Sequence, residues 1–345
     1  MKENFFDKSF DELAVILEDL GQTPYRLDQV LNWAYVRTVP DFSGMTNLSA
    51  GLREKLSDIL DLDPLTLVDR KRSRDGTEKL LLSLEDGELV ETVLIQEKGY
   101  MTQCLSTQAG CGMGCTFCES ARDGLSRDLT RGEIIAQVAT ASRVLGNRRR
   151  LRNLVFMGMG EPLKNLDEVV PSLEIILDSR GFDFSPRRVT ISTCGWVPGI
   201  KRLSDEGLGV NLAISLNAGD DGTRTEIMPV NRIYSIKDLI KAAREYLLNN
   251  RQRITFEYVL IDGLNDSDDD AMKVAGLLKG IPCKVNLIPC NETSAGYMPS
   301  GEARSTAFQK VLLDSGILAT VRSSRGSEIG AACGQLRTVV GGVGV

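Results

Sequence analysis

The chain contains no histidine. This excludes every mechanism that needs an imidazole, including a Ser-His-Asp triad, a histidine general base and a His-ligated zinc. Proton transfer must fall to Cys, Glu, Asp, Lys or Tyr. Long apolar runs are missing as well. No stretch of about 18 apolar residues occurs, so no membrane-spanning helix is expected. The opening Met1-Lys2-Glu3-Asn4-Phe5-Phe6-Asp7 lacks the apolar core of a signal peptide. Nor is there a basic excess: 41 Lys and Arg stand against 47 Asp and Glu, a net charge of −6. The overall charge therefore does not point to nucleic acid, although local basic clusters matter more than the sum. No low-complexity linker and no repeat of about 20–50 residues is found. The 345 residues, 42% hydrophobic and 26% charged, suffice for one large domain and a small one.

What the chain does have is cysteine, eight in all. Without export signals this argues for metal or redox chemistry in a reducing compartment, the cytoplasm, and not for a disulfide scaffold. Three of them lie in Cys111-Gly112-Met113-Gly114-Cys115-Thr116-Phe117-Cys118, a C-x3-C-x2-C spacing. Thiolates select soft metals and iron–sulfur clusters. A [4Fe-4S] cluster normally takes four cysteines, so three leave one iron open. An open coordination position is what separates a catalytic metal site from a structural one. An aromatic residue directly before the third cysteine, here Phe117, marks the radical S-adenosylmethionine enzymes. In those, the amine and carboxylate of the cofactor's methionine part take the open iron. The competing readings are a structural zinc knuckle or a redox pair. A non-catalytic zinc or iron–sulfur RNA module would need a fourth ligand, and Cys104, Cys194, Cys283, Cys290 and Cys333 offer no second C-x2-C.

Periodicity organises the rest. Residues 1–65 read as a small N-terminal helical domain, with helices expected over 11–20, 27–36 and 47–60. Such helix-hairpin patterns serve either nucleic-acid binding or as a plain cap. Residues 66–98 read as a linker built on a hairpin, with strands 79–84 and 89–95 flanking Asp86-Gly87. From 99 to 345 strands alternate with helices, as in a catalytic α/β domain. Strands are expected at 102–107, 153–159, 188–193, 210–217, 254–261 and 284–289. Helices are expected at 130–145, 166–179, 198–205, 235–249, 267–279 and 301–315. Six units with chemistry after the strands predict a partial (β/α)6 barrel, whose functional face is the C-terminal end of the strands. A doubly wound open sheet is the alternative.

Further motifs are similar to those of one family. They are Val90-Glu91-Thr92-Val93, Cys104-Leu105-Ser106-Thr107-Gln108-Ala109-Gly110-Cys111 and Gly158-Met159-Gly160-Glu161-Pro162-Leu163. They continue with Arg187-Arg188-Val189-Thr190-Ile191-Ser192-Thr193, Ala213-Ile214-Ser215-Leu216-Asn217-Ala218, Asn286-Leu287-Ile288-Pro289 and Ala331-Ala332-Cys333-Gly334-Gln335-Leu336. Pro24-Tyr25-Arg26 and Met45-Thr46-Asn47-Leu48 in the helical front match too. Together they resemble the RlmN/Cfr family of radical S-adenosylmethionine RNA methyltransferases, in particular the branch acting on carbon 2 of adenosine in 23S rRNA and tRNA. A carbon-8 methylating relative, or a radical S-adenosylmethionine enzyme with another substrate, is the alternative.

The resemblance implies a radical S-adenosylmethionine barrel and a set of roles. Cys111, Cys115 and Cys118 hold the cluster. Gly160, Glu161, Ser192, Ser215, Leu216, Asn217 and Asn291 fall where the family contacts S-adenosylmethionine, of which two molecules are used per turnover. Cys333 becomes S-methylated and carries the carbon to the RNA. Cys104 releases the adduct, leaving a Cys104–Cys333 disulfide, and Glu91 accepts the proton. A flavodoxin-type or other low-potential reductant supplies electrons, and the enzyme works as a monomer. The chain departs from the family at Asn217, where histidine is usual, at Cys290, where an aromatic is usual, and in its short uncharged tail beyond Arg337. The runs Lys71-Arg72 with Arg74, Arg148-Arg149-Arg150 with Arg152, and Arg187-Arg188 are candidate phosphate contacts. Each run alone is equally a solvated face. A base attacked inside a barrel must leave its stack.

Overall fold

The computed structural model describes residues 2–146, 150–248 and 252–337. Its front is helical. Strand β1 (Glu3–Asn4) leads into α1 (Phe10–Asp19), α2 (Tyr25–Leu31) and α3 (Ala50–Ile59), and β2 (Leu60–Asp61) returns to pair in parallel with β1. Ser9 and Glu12 cap α1 reciprocally, which satisfies two main-chain amides that would otherwise lack partners. The second expected helix is split, because α2 passes into a π-helical turn at Asn32–Val36. Buried Tyr35 from that turn meets Phe5, Phe6 and Phe10, and also Phe182 of the catalytic part with ring centres 5.3 Å apart. The Gly132 amide donates to Asp7 at 2.7 Å, and Arg143 pairs with Asp63. The front unit thus shares its core with the rest of the molecule.

The remaining elements are β3 (Thr66–Arg72), β4 (Glu78–Ser83), β5 (Leu89–Gln96), β6 (Met101–Cys104), β7 (Gln108–Gly110), β8 (Leu125–Asp128), α4 (Arg131–Leu145), β9 (Leu151–Phe156), α5 (Leu166–Leu177), β10 (Val189–Thr193) and α6 (Val197–Asp205). They continue with β11 (Asn211–Ser215), α7 (Asp221–Ile227), α8 (Ile236–Glu245), β12 (Ile254–Leu260), α9 (Asp268–Leu278), β13 (Cys283–Pro289), α10 (Glu302–Asp314) and β14 (Leu318–Val321). One ten-stranded sheet runs β14-β13-β12-β11-β10-β9-β6-β5-β4-β3. It is parallel from β14 to β6 and antiparallel from β6 to β3. The six expected parallel strands are present, and β14 adds another. The hairpin around Asp86-Gly87 forms as β4 and β5, but it is not a free-standing linker. It carries β3 with it as the antiparallel edge of the catalytic sheet, because β5 pairs with β6 in register Val93 to Cys104.

Strand alternation explains where the core and the cavity lie. Side chains two residues apart share a face of the sheet. On β12, Ile254, Phe256, Tyr258 and Leu260 are buried, while Thr255 and Glu257 line an interior cavity. The same split places Val189 and Ile191, Leu212 and Ile214, and Val285 and Leu287 in the core. Their alternates Thr190, Asn211, Ala213, Lys284 and Asn286 face inward. Each fully buried Leu or Ile contributes about 2 kcal/mol, so the inside-out polarity is firmly specified. After β14 the chain crosses back to the opposite edge. Asp75 accepts from the Gly326 amide, Glu328 from Ser73 and Arg74, and Lys79 donates to the Gly330 carbonyl at 3.1 Å. This strap, residues 322–337, spans the gap between β14 and the β3–β4 edge. Among the described residues no helix is long and apolar enough to cross a membrane.

Candidate active site

A cavity of about 760 Å³ fills the barrel. Cys104 lines it from the end of β6 and Cys333 from the strap, with Met157, Ile288 and Asn291 beside them. Both thiols are free. Cys104 is buried in an apolar cluster with Val93, Met159, Ala331 and Leu336. Burial pushes its thiol well above the ordinary value, and the charge of nearby Cys333 pushes it further. Cys333 is exposed, its surface opening to the cavity. Desolvation raises its thiol, the Glu257 carboxylate adds to this, and Arg322 opposes it.

The loop bearing Cys333 is seated on the loop bearing the three clustered cysteines. The Glu119 amide donates to the Gly334 carbonyl at 2.7 Å, and Ser120 Oγ donates to the Leu336 carbonyl at 2.6 Å. Gly334 has φ +82, and a Cβ there would lie 3.2 Å from the Phe117 carbonyl, so the position suits only glycine. Asn291 Nδ2 donates to the Cys333 carbonyl at 3.0 Å and Ser324 Oγ to Asn291 Oδ1 at 2.5 Å. Arg337 closes the junction on Asp123 at 2.8 Å.

Cys115 and Cys118 line a hollow of about 310 Å³ with Thr293 and Ser294, and Cys111 packs behind them with Met113, Met228 and Cys290. Burial pushes the Cys111 thiol up to about 11, and burial also raises Cys115 and Cys118. Thiols so desolvated ionise only against a compensating positive charge, which a metal cluster provides. Among the described residues no three Cys, Asp or Glu groups converge as a single ion would need. A four-iron cluster asks for something different: each thiolate meets its own iron, so the sulfurs stand apart. An all-sulfur donor set of three in one loop fits that group.

The expected cofactor contacts divide. Gly160, at φ +102, has room only for hydrogen because a Cβ would lie 2.6 Å from Gln108 Cβ. Glu161 is buried, with Oε1 accepting from the Leu163 amide at 3.0 Å and Oε2 from the Cys194 amide at 2.8 Å. A carboxylate has about four lone-pair sites, so these bonds leave room for a cofactor ammonium. Ser192 and Ser215 lie on the inward positions of β10 and β11, each half-buried. Leu216 is fully buried and offers only its main chain. Asn217 turns away from the expected contact. Its φ of +58 swings the side chain into the core, where Oδ1 accepts from the Val259 amide at 2.8 Å and Nδ2 meets Met228 Sδ. Asn291, as described, is engaged with the strap.

Glu91 lies two residues from Val93 on the same face of β5, so it neighbours Cys104. It lines a separate hollow of about 300 Å³, pairs with Lys79 at 2.8 Å, and accepts from the Arg337 amide at 2.9 Å. Burial raises its carboxyl, opposed by Lys79.

Two residues escaped the sequence reading. Fully buried Arg224 donates to the carbonyls of Leu216, Cys194 and Ser215, and to Asn231 Oδ1. It thereby ties together the ends of β10 and β11, where the cofactor contacts are expected. Glu257 projects into the cavity from β12, with Oε1 accepting from Asn286 Nδ2 at 2.9 Å. A carboxylate at an inward position of an apolar strand was its only sequence signal. Of the basic runs, Arg187 and Arg188 line the cavity, whereas Arg72 and Arg74 sit exposed at the strap edge. Arg148 and Arg149 lie outside the described residues.

Comparison with known proteins agrees with this arrangement. The Radical SAM superfamily profile matches residues 105–275, and the profile for the ribosomal RNA large subunit methyltransferase N-terminal domain matches residues 3–62. The chain is 46% identical to a dual-specificity RNA methyltransferase RlmN of Syntrophotalea carbinolica, over 95% of this chain and 88% of that one. It is 43% identical to a probable dual-specificity RNA methyltransferase RlmN of Thermotoga neapolitana, over 97% of both. The crystal structure of a radical SAM methyltransferase from Sphaerobacter thermophilus superposes with a TM-score of 0.93 at 44% identity, covering 97% of this chain and 99% of that one. With this extent of agreement in sequence and fold, the chain belongs to the RlmN family of radical S-adenosylmethionine methyltransferases.

Proposed function

We propose that this protein methylates carbon 2 of adenosine in 23S rRNA and tRNA, with Cys333 as carbon carrier and Cys104 as the thiol that frees the product. The observation that carries the reading is that these two cysteines line one cavity while the Cys333 loop rests on the cysteine loop. Adenine carbon 2 is electron-poor and does not attack a sulfonium methyl, whereas a thiolate does. When bound, the [4Fe-4S] cluster and two molecules of S-adenosylmethionine per turnover supply the methyl group and a hydrogen-abstracting radical.

The chain's own residues do the rest. Cys111, Cys115 and Cys118 hold the cluster. Gly160, Glu161, Ser192 and Ser215 face the cofactor, Leu216 and Asn217 shape its site through the main chain, and Asn291 fixes the carrier loop. Cys333 Sγ takes the methyl carbon and delivers it to carbon 2. Glu91 accepts the proton lost there, the single electron lost with it would return to the oxidised cluster, and the raised pKa of Glu91 makes its anion a better base. Cys104 then attacks Cys333 Sγ. The carbon–sulfur bond breaks, the product leaves, and a Cys104–Cys333 disulfide remains to be reduced. A flavodoxin-type or other low-potential donor supplies electrons to the monomer in the cytoplasm.

The helical front adds RNA affinity. Arg37 stacks over Trp33 at 4.2 Å and Arg26 over exposed Tyr25 at 4.8 Å, a surface that suits unstacked bases and phosphates. The test is digestion of RNA from cells with and without the gene. The reading expects 2-methyladenosine to disappear with the gene. Loss of 8-methyladenosine instead would assign the carbon-8 reaction.

A further inference from the structure

The interior cavity carries the opposite charge to the chain that surrounds it. The protein has a net charge of −6. The cavity is lined by Arg187, Arg188, Arg253, Lys284, Arg322 and Arg325 against Glu97 and Glu257. Four of these cations sit at one end. Arg187 and Arg188 immediately precede β10, Arg253 immediately precedes β12, and Lys284 is the second residue of β13. All four therefore mark the N-terminal ends of parallel strands. The cysteine loop, the loop after β13 and the Cys333 loop are bonded together over the opposite end.

We infer that RNA enters the barrel from the N-terminal ends of its strands, its phosphates held by Arg187, Arg188, Arg253 and Lys284, with the target nucleotide inserted toward Cys104 and Cys333. The inference rests on the RNA reading above and adds the route and the clamp. Register supports it. Cys104 pairs with Val155, and Val155 pairs with Thr190. Arg188 lies two residues before Thr190 on the same inward face, which places its main chain about 7 Å along the strand from that level. Its guanidinium meets Asn153 Oδ1 at 3.5 Å and is half-buried. Arg187, Arg253 and Lys284 are exposed and free to reach outward. A phosphate held at this rim lies on the order of 10 Å from the thiols, judged from the strand rise. A nucleotide turned out of its stack spans such a gap. Cofactor and RNA then approach the reacting carbon from opposite ends, and neither must pass the other.

The test is RNA binding by the cluster-loaded enzyme as a function of salt. The probe is a short RNA hairpin with a loop adenosine. The variant is Arg187→Gln with Arg253→Gln and Lys284→Gln, and Arg253→Gln alone serves if the triple variant does not fold. A control carries Lys237→Gln with Lys241→Gln on the outer face of α8. Each lost contact lowers the slope of log affinity against log salt by about 0.7 on single-stranded nucleic acid. The triple variant should therefore lose about 2 from the slope, with iron content retained, while the control keeps the wild-type slope. An unchanged slope and affinity in a folded rim variant, while the wild type still forms 2-methyladenosine, would overturn the route alone. A wild type that forms no methylated adenosine would overturn the underlying reading.

Discussion

The amide of Glu119 donates to the carbonyl of Gly334 at 2.7 Å, so the loop bearing Cys333 hangs from the loop bearing Cys111, Cys115 and Cys118. The placement of Cys333 relative to the three clustered cysteines is therefore fixed in part by a main-chain contact, beside the side-chain bonds of Ser120, Asn291 and Arg337. The contact depends on the left-handed backbone of Gly334.

Gly334→Ala tests this. An L-residue in that conformation costs about 1–2 kcal/mol, and its Cβ must share 3.2 Å with the Phe117 carbonyl. A fall of a few degrees in melting temperature is expected. Turnover on RNA should fall much further, by more than about tenfold, because a misplacement near 1 Å has that effect on a positioned reactant. Iron content should be unchanged. Turnover that follows stability alone would mean the loop is not positioned by this contact.

Acid should release the strap. Burial works to raise the Asp75 carboxyl, but hydrogen bonds from Thr77, Gly326 and Ser73 outweigh it and leave the group below its ordinary value. The Arg74 amide and Ser73 hold Glu328 below its ordinary value in the same way. A carboxylate with a lowered folded pKa stabilises fully above its unfolded value, near pH 4, and loses that contribution as pH falls through the folded value. Wild type should melt above Asp75→Asn at neutral pH, and the two should converge as pH falls through the lowered folded value of Asp75. A difference that grows on acidification would contradict the sign.

Arg224→Met should strip a partner from the buried carbonyl of Leu216 and from the partly buried carbonyls of Cys194 and Ser215. Each unmet buried group costs about 1–3 kcal/mol. A loss of several kcal/mol is expected, measured by denaturant unfolding. Arg224→Lys should recover part of it, because an ammonium cannot span the same fork of acceptors. S-adenosylmethionine affinity should drop in Arg224→Lys even where the fold persists. Wild-type affinity there would remove Arg224 from the support of the cofactor site.

Much of this was legible in the sequence for a physical reason. Strands with apolar alternates and helices with apolar periodicity announce themselves, and the structure adds the caps that start two of these helices, at Ser9-Glu12 and Thr130-Glu133. The cysteine loop and the Asp86-Gly87 turn do the same. β3 was hidden because its seven residues are all exposed and largely charged, so main-chain pairing alone makes it a strand. Arg224 reads as a surface charge until tertiary contacts enclose it. Asn217 sits in a motif whose position suggests a ligand, but one positive φ redirects its side chain. Cys333 and Cys104 read singly as small buried hydrophobes. Only the return of the strap across the barrel brings them into one cavity.

The most direct measurement is a denaturing gel of cluster-loaded enzyme mixed with substrate RNA, S-adenosylmethionine and reductant. With Cys333 as the proposed carrier and Cys104 as the proposed releasing thiol, the Cys104→Ala variant should still pass the carbon to adenine but leave no thiol to attack the Cys333 sulfur and free the product. A covalent protein–RNA adduct should accumulate and survive denaturation. It should be absent from Cys333→Ala and from the double variant, which have no carrier. Normal turnover by Cys104→Ala with no adduct would contradict the account.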